Sequence, residues 1–338
     1  MAKKSNRVVN KELRMSGCVF RKVRKRAGFS NPAKEKVRSQ SIPLESQNDE
    51  VFMQEGGVLR KVQSMLYFQA MQRRPFLQKL SLISTGVLTL PFATYGQVTL
   101  PKATRLKFIT ASDGHWGQPN TDFAGSHRQL MEAIQQEKGV DFVVFNGDLI
   151  HDTPSFLPEV KAVYDQLQVP NFATRGNHDR VDADTFLRIM GHPTNHSFVL
   201  KDQFGVILLD SSNVAGDYLC ADLNYLRAVL TSYEKLEQVY VFIHISQQEW
   251  TRNGVACEEF MDLIASYPNV KATFHGHDHD LDGLMVYKKK PFLWAGHFGG
   301  SWGNPFPSYR VCEVGEDGKA VTYLKTVKDG LVLNSHPL

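Results

Sequence analysis

Short polar blocks of Asp, Asn, His and Gly close one apolar run after another between residues 106 and 279, and no other feature limits the fold as strongly. The runs 106–112, 142–146, 171–174, 196–200, 206–210, 239–245 and 270–275 have the length and the β-branched and aromatic content of buried strands. Helical periodicity fills much of the space between them, over 126–137, 156–167, 183–190, 221–235 and 258–267. In the first of these, His127, Leu130 and Ile134 fall on one helix face. Residues 284–300 read as further strand, with Lys288-Lys289-Lys290 as a solvated turn. Residues 309–314 and 320–326 flank Gly315-Glu316-Asp317-Gly318 as a hairpin. Strands interleaved with helices predict one layered α/β domain over 97–338, without internal repeats. In such folds reactive polar groups gather at the carboxyl ends of strands.

Five blocks meet that expectation. Asp113-Gly114-His115 follows the first run; residues two apart in extended chain point the same way, so a carboxylate and an imidazole can converge on one ion. Gly147-Asp148 follows the second run, and Gly176-Asn177-His178-Asp179 lies just past the third. His244 ends Val241-Phe242-Ile243, and Gly276-His277-Asp278-His279 closes the last. Any one block occurs by chance in many chains. Five in succession, each closing an apolar run, do not. Their carboxylate and imidazole donors suit Mn, Fe, Zn or Co better than Cu(I) or Ca. No CxxC or Cys/His spacing points to a structural zinc module.

In this order the blocks resemble the calcineurin-like metallophosphoesterase superfamily across essentially all of 105–300, and within it the bacterial phosphodiesterases that include the class III cyclic-nucleotide enzymes. The resemblance implies a four-layer αββα sandwich with two mixed β-sheets. It implies that Asp113, His115, Asp148 and His279 hold one metal ion. Asp148 then bridges to a second ion, completed by Asn177, His244 and His277. The implied reaction is attack of a metal-bridging hydroxide on the phosphorus of a small phosphodiester or phosphomonoester, with His178 as general acid and Asp179 orienting it. Purple acid phosphatases carry a tyrosine three residues after the bridging aspartate; His151 stands there, so a purple enzyme is not expected.

Two other functions compete. A nuclease of the same superfamily needs a basic groove, whereas Asp/Glu outnumber Lys/Arg 29 to 21 from residue 96 onward, so no stable nucleic-acid partner is expected. A non-catalytic metal-binding protein would lack a ligand or the acid, and here all eight residues are present. Around the blocks, His151 and Asp152 are expected behind the ligands or lining the pocket. Arg175 and Arg180 either grip a phosphate or lie at the surface. His275 and Trp116 read as packing, and His297 could close the pocket. Of Cys18, Cys220, Cys257 and Cys312, the pair Cys220–Cys257 is the first to test for a disulfide; separate buried thiols are the alternative.

The front of the chain has another character. Residues 1–70 carry 15 Lys/Arg and 6 Asp/Glu without sustained apolar periodicity. Such a tail cannot bury enough apolar surface to offset chain entropy. Residues 71–96 resemble a twin-arginine export signal, with Arg73-Arg74, Phe76-Leu77, Lys79, a short apolar stretch and small residues before Gln97. The expected partner is the twin-arginine export machinery, and the expected location is periplasmic or extracellular, with no integral membrane segment after cleavage. An export signal sits at the start of a chain, so translation is expected to begin at Met71 or Met65. N-terminal sequencing of the native protein checks this, and a mature product starting at Met1 excludes it.

Overall fold

The computed structural model describes residues 100–338. The expected tail 1–70 and the expected export signal 71–96 lie outside the described residues. From Thr104 onward the chain runs β1 (Thr104–Ala111), α1 (Phe123–Gln136), β2 (Phe142–Asn146), a 3-10 turn, α2 (Leu157–Tyr164), β3 (Asn171–Thr174), α3 (Ala183–Met190), β4 (His196–Leu200) and β5 (Phe204–Leu209). It continues through α4 (Leu223–Ser232), β6 (Gln238–Ile243), α5 (Glu258–Ser266), β7 (Val270–His275), β8 (Leu284–Tyr287), β9 (Lys290–Trp294), β10 (Ser308–Gly315), β11 (Ala320–Thr326) and β12 (Val332–Pro337).

Two six-stranded mixed sheets result. One has the order β12-β11-β10-β1-β2-β3 and the other β4-β5-β6-β7-β9-β8. Within them β1, β2 and β3 are parallel, as are β5, β6, β7 and β9. Period-two alternation sorts each central strand between two cores. Leu106 and Phe108 of β1, Phe142 and Val144 of β2, and Val206, Leu208, Tyr240, Phe242 and Phe274 of the other sheet fill the space between the sheets. Ile109, Val143 and Phe145 point outward onto α1, α2 and α3, while Ile207, Val241 and Ile243 point outward onto α4 and α5. Burial on both faces explains why these strands read as continuous apolar runs. Four layers, αββα, follow.

Phe108 is the hub of the middle core. Its ring lies 5.0 Å from Phe142 on its own sheet and 4.9, 5.7 and 5.6 Å from Tyr240, Phe242 and Phe274 on the other. Burial of one such ring contributes roughly 1.5–3 kcal/mol. At the strand ends the join becomes polar and centres on Asn146. Its Nδ2 donates to the Phe274 carbonyl (3.0 Å) and its Oδ1 accepts from Thr174 Oγ1 (2.9 Å). Its carbonyl accepts from Ser112 Oγ (2.8 Å) and His244 Nδ1 (2.7 Å). One buried amide residue therefore ties β1, β2, β3, β6 and β7 together directly beneath their carboxyl ends.

Elsewhere Cys220 and Cys257 form a disulfide, and Cys312 is a buried free thiol. Lys288 and Lys289 make the turn between β8 and β9, both with positive φ, and Lys290 opens β9. No helix among the described residues is long and apolar enough to cross a membrane.

Candidate metal centre

Every one of the five polar blocks leaves the carboxyl end of a parallel strand on the same edge of the sandwich. The backbone there is forced into tight turns. Asp113, His115, Asp148 and His277 all adopt left-handed φ, at 60°, 46°, 50° and 69°. That region is costly for residues with a Cβ and collects at functional sites. Two glycines make the approach possible. A Cβ on Gly176 would fall 2.1 Å from the Asp148 backbone nitrogen, and one on Gly147 (φ 85°) would fall 2.4 Å from the His244 ring.

The side chains so delivered form two buried donor groups, Asp113–His115–His279 and Asp148–His244–His277, the donor atoms of each group lying within 4.8 Å of one another. Asp148 stands between them: its Oδ2 is 3.3 Å from His244 Nε2 and 3.6 Å from His115 Nε2. Its Oδ1 accepts from the His178 backbone N–H at 2.8 Å. The Asp113 carboxylate reaches across to the second donor group, accepting the His277 backbone N–H at 3.0 and 3.1 Å. Asn177 lies between two residues that touch Asp148 and is itself buried.

The imidazoles are set up as ligands. His244 Nδ1 faces the Asn146 carbonyl and His279 Nδ1 faces the Trp302 carbonyl at 3.0 Å. A carbonyl can only accept, so both protons sit on Nδ1 and both Nε2 atoms are free to bind an ion. Three buried atoms that line this centre have no hydrogen bond, Asn177 Oδ1, His244 Nε2 and His277 Nε2, the second of them facing the Asp148 carboxylate at 3.3 Å. Buried polar atoms are normally satisfied, and each failure costs about 1–3 kcal/mol. Three on three converging loops fit a cation.

Electrostatics agree. Burial pushes the Asp113 carboxyl up, but His279 and His244 outweigh it and hold it down at about 2. Burial opposes charge on His244, yet Asp148 and Asp113 raise it to about 10. Burial takes His115 down to about 3 and His277 down to about 4. Two buried carboxylates thus draw positive charge into the pocket, and metal ions can supply it in place of imidazolium protons.

His178 stands at the edge of this centre, partly exposed, its ring 5.1 Å from that of His115. The expected partnership with Asp179 is not what the structure holds. Successive residues of this turn face opposite ways, and Asp179 is fully buried. Its carboxylate accepts the backbone N–H groups of Leu149 (2.8 Å), Ile150 (3.0 Å) and Gly176 (2.6 Å), clamping two ligand loops together. Burial, reinforced by the Asp148 charge, raises it to about 7. Asp152 is the partner of His178 instead, with Oδ1 at 3.1 Å from Nδ1, and it also accepts from Arg180 Nε. A carboxylate four residues past Gly147-Asp148 was the available signal.

The remaining candidates separate cleanly. Arg175 is buried and bound to Asp210, the Val181 carbonyl and the Ser212 carbonyl, so it braces loops and holds no phosphate. Arg180 stays half-exposed at the mouth, donating to the Ala215 carbonyl at 2.7 Å. Trp116 packs on Phe123 and His127, and His275 is buried with Nδ1 on the Ile243 carbonyl. His297 stacks on His279 at 5.0 Å. Two aromatics at the site carried no signal in the sequence. Trp302, 49% exposed, stacks on His279 at 4.1 Å, and Tyr218, 43% exposed, sets its ring at right angles to His277 at 4.7 Å.

The family model described as calcineurin-like phosphoesterase matches residues 106–281. No curated protein matches the chain. Among solved structures the chain is similar to a dimetal phosphatase from Danio rerio, with TM-score 0.57 and 17% identity over 68% of this chain and 99% of that one. It is also similar to the purple acid phosphatase PPD1 from yellow lupin (Lupinus luteus) seeds, with TM-score 0.55 and 14% identity over 70% of this chain and 54% of that one. At these identities the likeness is one of fold.

Proposed function

The chain belongs to the calcineurin-like phosphoesterase family, and from that premise we propose that it hydrolyses a small phosphodiester or phosphomonoester at a two-ion centre, with His178 as the general acid. The observation that carries the reading is the set of orphaned atoms Asn177 Oδ1, His244 Nε2 and His277 Nε2 around Asp148. Asp113, His115, His279 and Asp148 would hold the first ion; Asp148, Asn177, His244 and His277 the second. Bound there, two Mn, Fe, Zn or Co ions supply an ionised water near neutral pH and neutralise charge on the phosphoryl oxygens.

The chain's own residues do the rest. His178 lies beside the centre rather than in it, free to give a proton to the departing oxygen. Asp152 accepts from His178 Nδ1, which leaves the proton to be donated on Nε2, and Arg180 holds Asp152 in place. Gly176 and Asp179 keep the Asn177–His178 turn against Asp148, so acid and ion pair stay in register. Placement in the branch of bacterial phosphodiesterases that includes the class III cyclic-nucleotide enzymes rests on the sequence blocks. The His151 position argues against purple-enzyme chemistry.

The test is hydrolysis of bis-p-nitrophenyl phosphate and of p-nitrophenyl phosphate with Mn²⁺ and with EDTA. Turnover that needs Mn²⁺ is the expected result. Two bound ions without turnover of either ester would favour a binding protein. The same reading takes the protein out of the cytoplasm by way of the Arg73-Arg74 segment. The Cys220–Cys257 disulfide supports that, since such bonds persist in oxidising compartments. A native N-terminus at Gln97 is the expected sequencing result.

A further inference from the structure

His151 stands behind the first donor group in a contact that the two-ion chemistry does not use. Its Nδ1 is 3.1 Å from His115 Nδ1. Two ring nitrogens at that separation share one proton: paired lone pairs repel, and paired N–H groups clash. Which ring carries it is decided at the other end of His115. There Nε2 points into the centre, 3.0 Å from His279 Nε2 and 3.6 Å from Asp148 Oδ2. An ion in the first group needs the lone pair on that Nε2. The proton of the neutral imidazole then sits on Nδ1, and His151 Nδ1 must accept it. His151 keeps its own proton on Nε2, on the side of Asp152 Oδ2 at 3.8 Å, where a negative charge favours it.

We propose that His151 is a positioning residue: by accepting from His115 Nδ1 it fixes the tautomer that leaves His115 Nε2 free for the first ion, and its ring braces the His178 acid. The inference rests on the two-ion reading. The brace is a parallel stack, with the rings of His151 and His178 4.9 Å apart and inclined by 10°. His151 can do both because its backbone is held on both sides by hydrogen bonds. Leu149 and Ile150 are buried in the core and their N–H groups are clamped by Asp179. The His151 N–H donates to the Trp116 carbonyl at 2.9 Å and the Asp152 N–H to the His178 carbonyl at 2.9 Å. The ligands His244 and His279 have backbone carbonyls in the same place. For His115 an imidazole does that work, so it can be changed by mutation where a carbonyl cannot.

Two variants separate the roles. His151→Asn puts an amide oxygen near the position of Nδ1, keeping the acceptor and losing the stack; His151→Phe keeps the stack and loses the acceptor. The readouts are ¹⁵N–¹H NMR of the His115 ring in zinc-loaded protein, the zinc affinity of each site by chelator competition, and bis-p-nitrophenyl phosphate turnover. Wild type and His151→Asn should both show the His115 proton on Nδ1 and bind two zinc ions. His151→Phe should lose the single tautomer and bind the first ion about 10- to 100-fold more weakly, with its melting temperature near wild type. An Nε2–H tautomer in wild type, or unchanged zinc affinity and tautomer in His151→Phe, would overturn the proposal. A third zinc ion bound by wild type and lost in His151→Phe would also overturn it, since His151 would then be a ligand. A correct His115 tautomer with no ester hydrolysis by any metal-loaded form would leave the positioning role standing and sink the phosphoesterase reading instead.

Discussion

The two donor groups share Asp148 but are built on opposite plans. Around the first, the donor atoms crowd together: His115 Nε2 and His279 Nε2 are 3.0 Å apart, and His279 Nε2 is 3.2 Å from Asp113 Oδ1. Around the second, Asn177 Oδ1 and His277 Nε2 are buried and unpartnered, and His244 Nε2 has only the Asp148 carboxylate, at 3.3 Å. The difference lies in what holds each ligand. His244 is anchored through Nδ1 to the carbonyl of Asn146, the residue that joins the two sheets. His279 is anchored in the same way to the Trp302 carbonyl, whereas Nδ1 of His115 meets the His151 ring. An ion entering either group relieves crowded or unsatisfied donors, but the first group depends on a His115 tautomer set by another imidazole, and the second has a backbone carbonyl in that place. The second group should therefore bind its ion more tightly.

The largest effect should come from removing what the halves share. Asp148→Asn is expected to lower the affinity for both ions and cut ester turnover by about 10⁴-fold, since the charge stabilisation at stake is several kcal/mol at about 1.4 kcal/mol per tenfold. Elemental analysis of the purified variant and its turnover of bis-p-nitrophenyl phosphate check this together. His178→Ala leaves both halves intact. It should retain two ions while kcat falls by about 10²-fold or more on an ester with a poor leaving group. With p-nitrophenol leaving, which needs no proton, the loss should shrink; equal losses on both esters would remove His178 from the acid role.

Single ligands test the asymmetry directly. In a zinc titration, His277→Ala should abolish the tighter binding step and His279→Ala the weaker one, each weakened at least tenfold. The reverse pattern would invert the comparison. Asp152→Asn, which loosens the acid without touching either half, should lower kcat about tenfold with metal content unchanged.

The smallest effect separates a packed histidine from the ligand two residues on. Burial takes His275 down to about 3. In the native state it stays neutral down to that pH, while in the unfolded chain it takes a proton below about 6.5. The unfolded state binds more protons across that window, so the native state loses stability as pH falls through it. His275→Phe removes that share, and its melting temperature should fall less between about pH 7 and pH 5 than that of wild type. A parallel fall in both proteins would mean that His275 takes no part.

Much of this was legible because burial on both faces leaves a plain trace in sequence. β2, β3, β4, β7 and α3 begin and end where the residue patterns predict. Helix starts were less legible. α1 begins at Phe123, three residues before its periodicity becomes clear, because the Asp122 carboxylate caps the Gly125 N–H. α4 begins at Leu223 for the same reason, with Asp222 capping Asn224 and Tyr225. β12 was invisible: Asn334-Ser335-His336 is a polar edge strand held by backbone pairing to β11 rather than by an apolar face. At the site, the blocks carried the donor set because strand ends impose it. What they could not carry was direction. Asp179 and Asp152 are both near His178, and only the turn geometry makes one a clamp and the other a partner.

The left-handed backbone at Asp113, His115, Asp148 and His277 has a consequence for how this protein can change. Each of these residues holds a conformation that costs on the order of 1 kcal/mol and that glycine adopts freely. In a domain whose net stability is about 5–15 kcal/mol, four such positions are a sizeable reserve. A library of variants selected only for survival on heating should drift toward glycine at these four residues, becoming sturdier as it loses the donors. Natural thermostability in this lineage would then have to be gained elsewhere in the sandwich, because heat selection and ester hydrolysis pull these four residues in opposite directions.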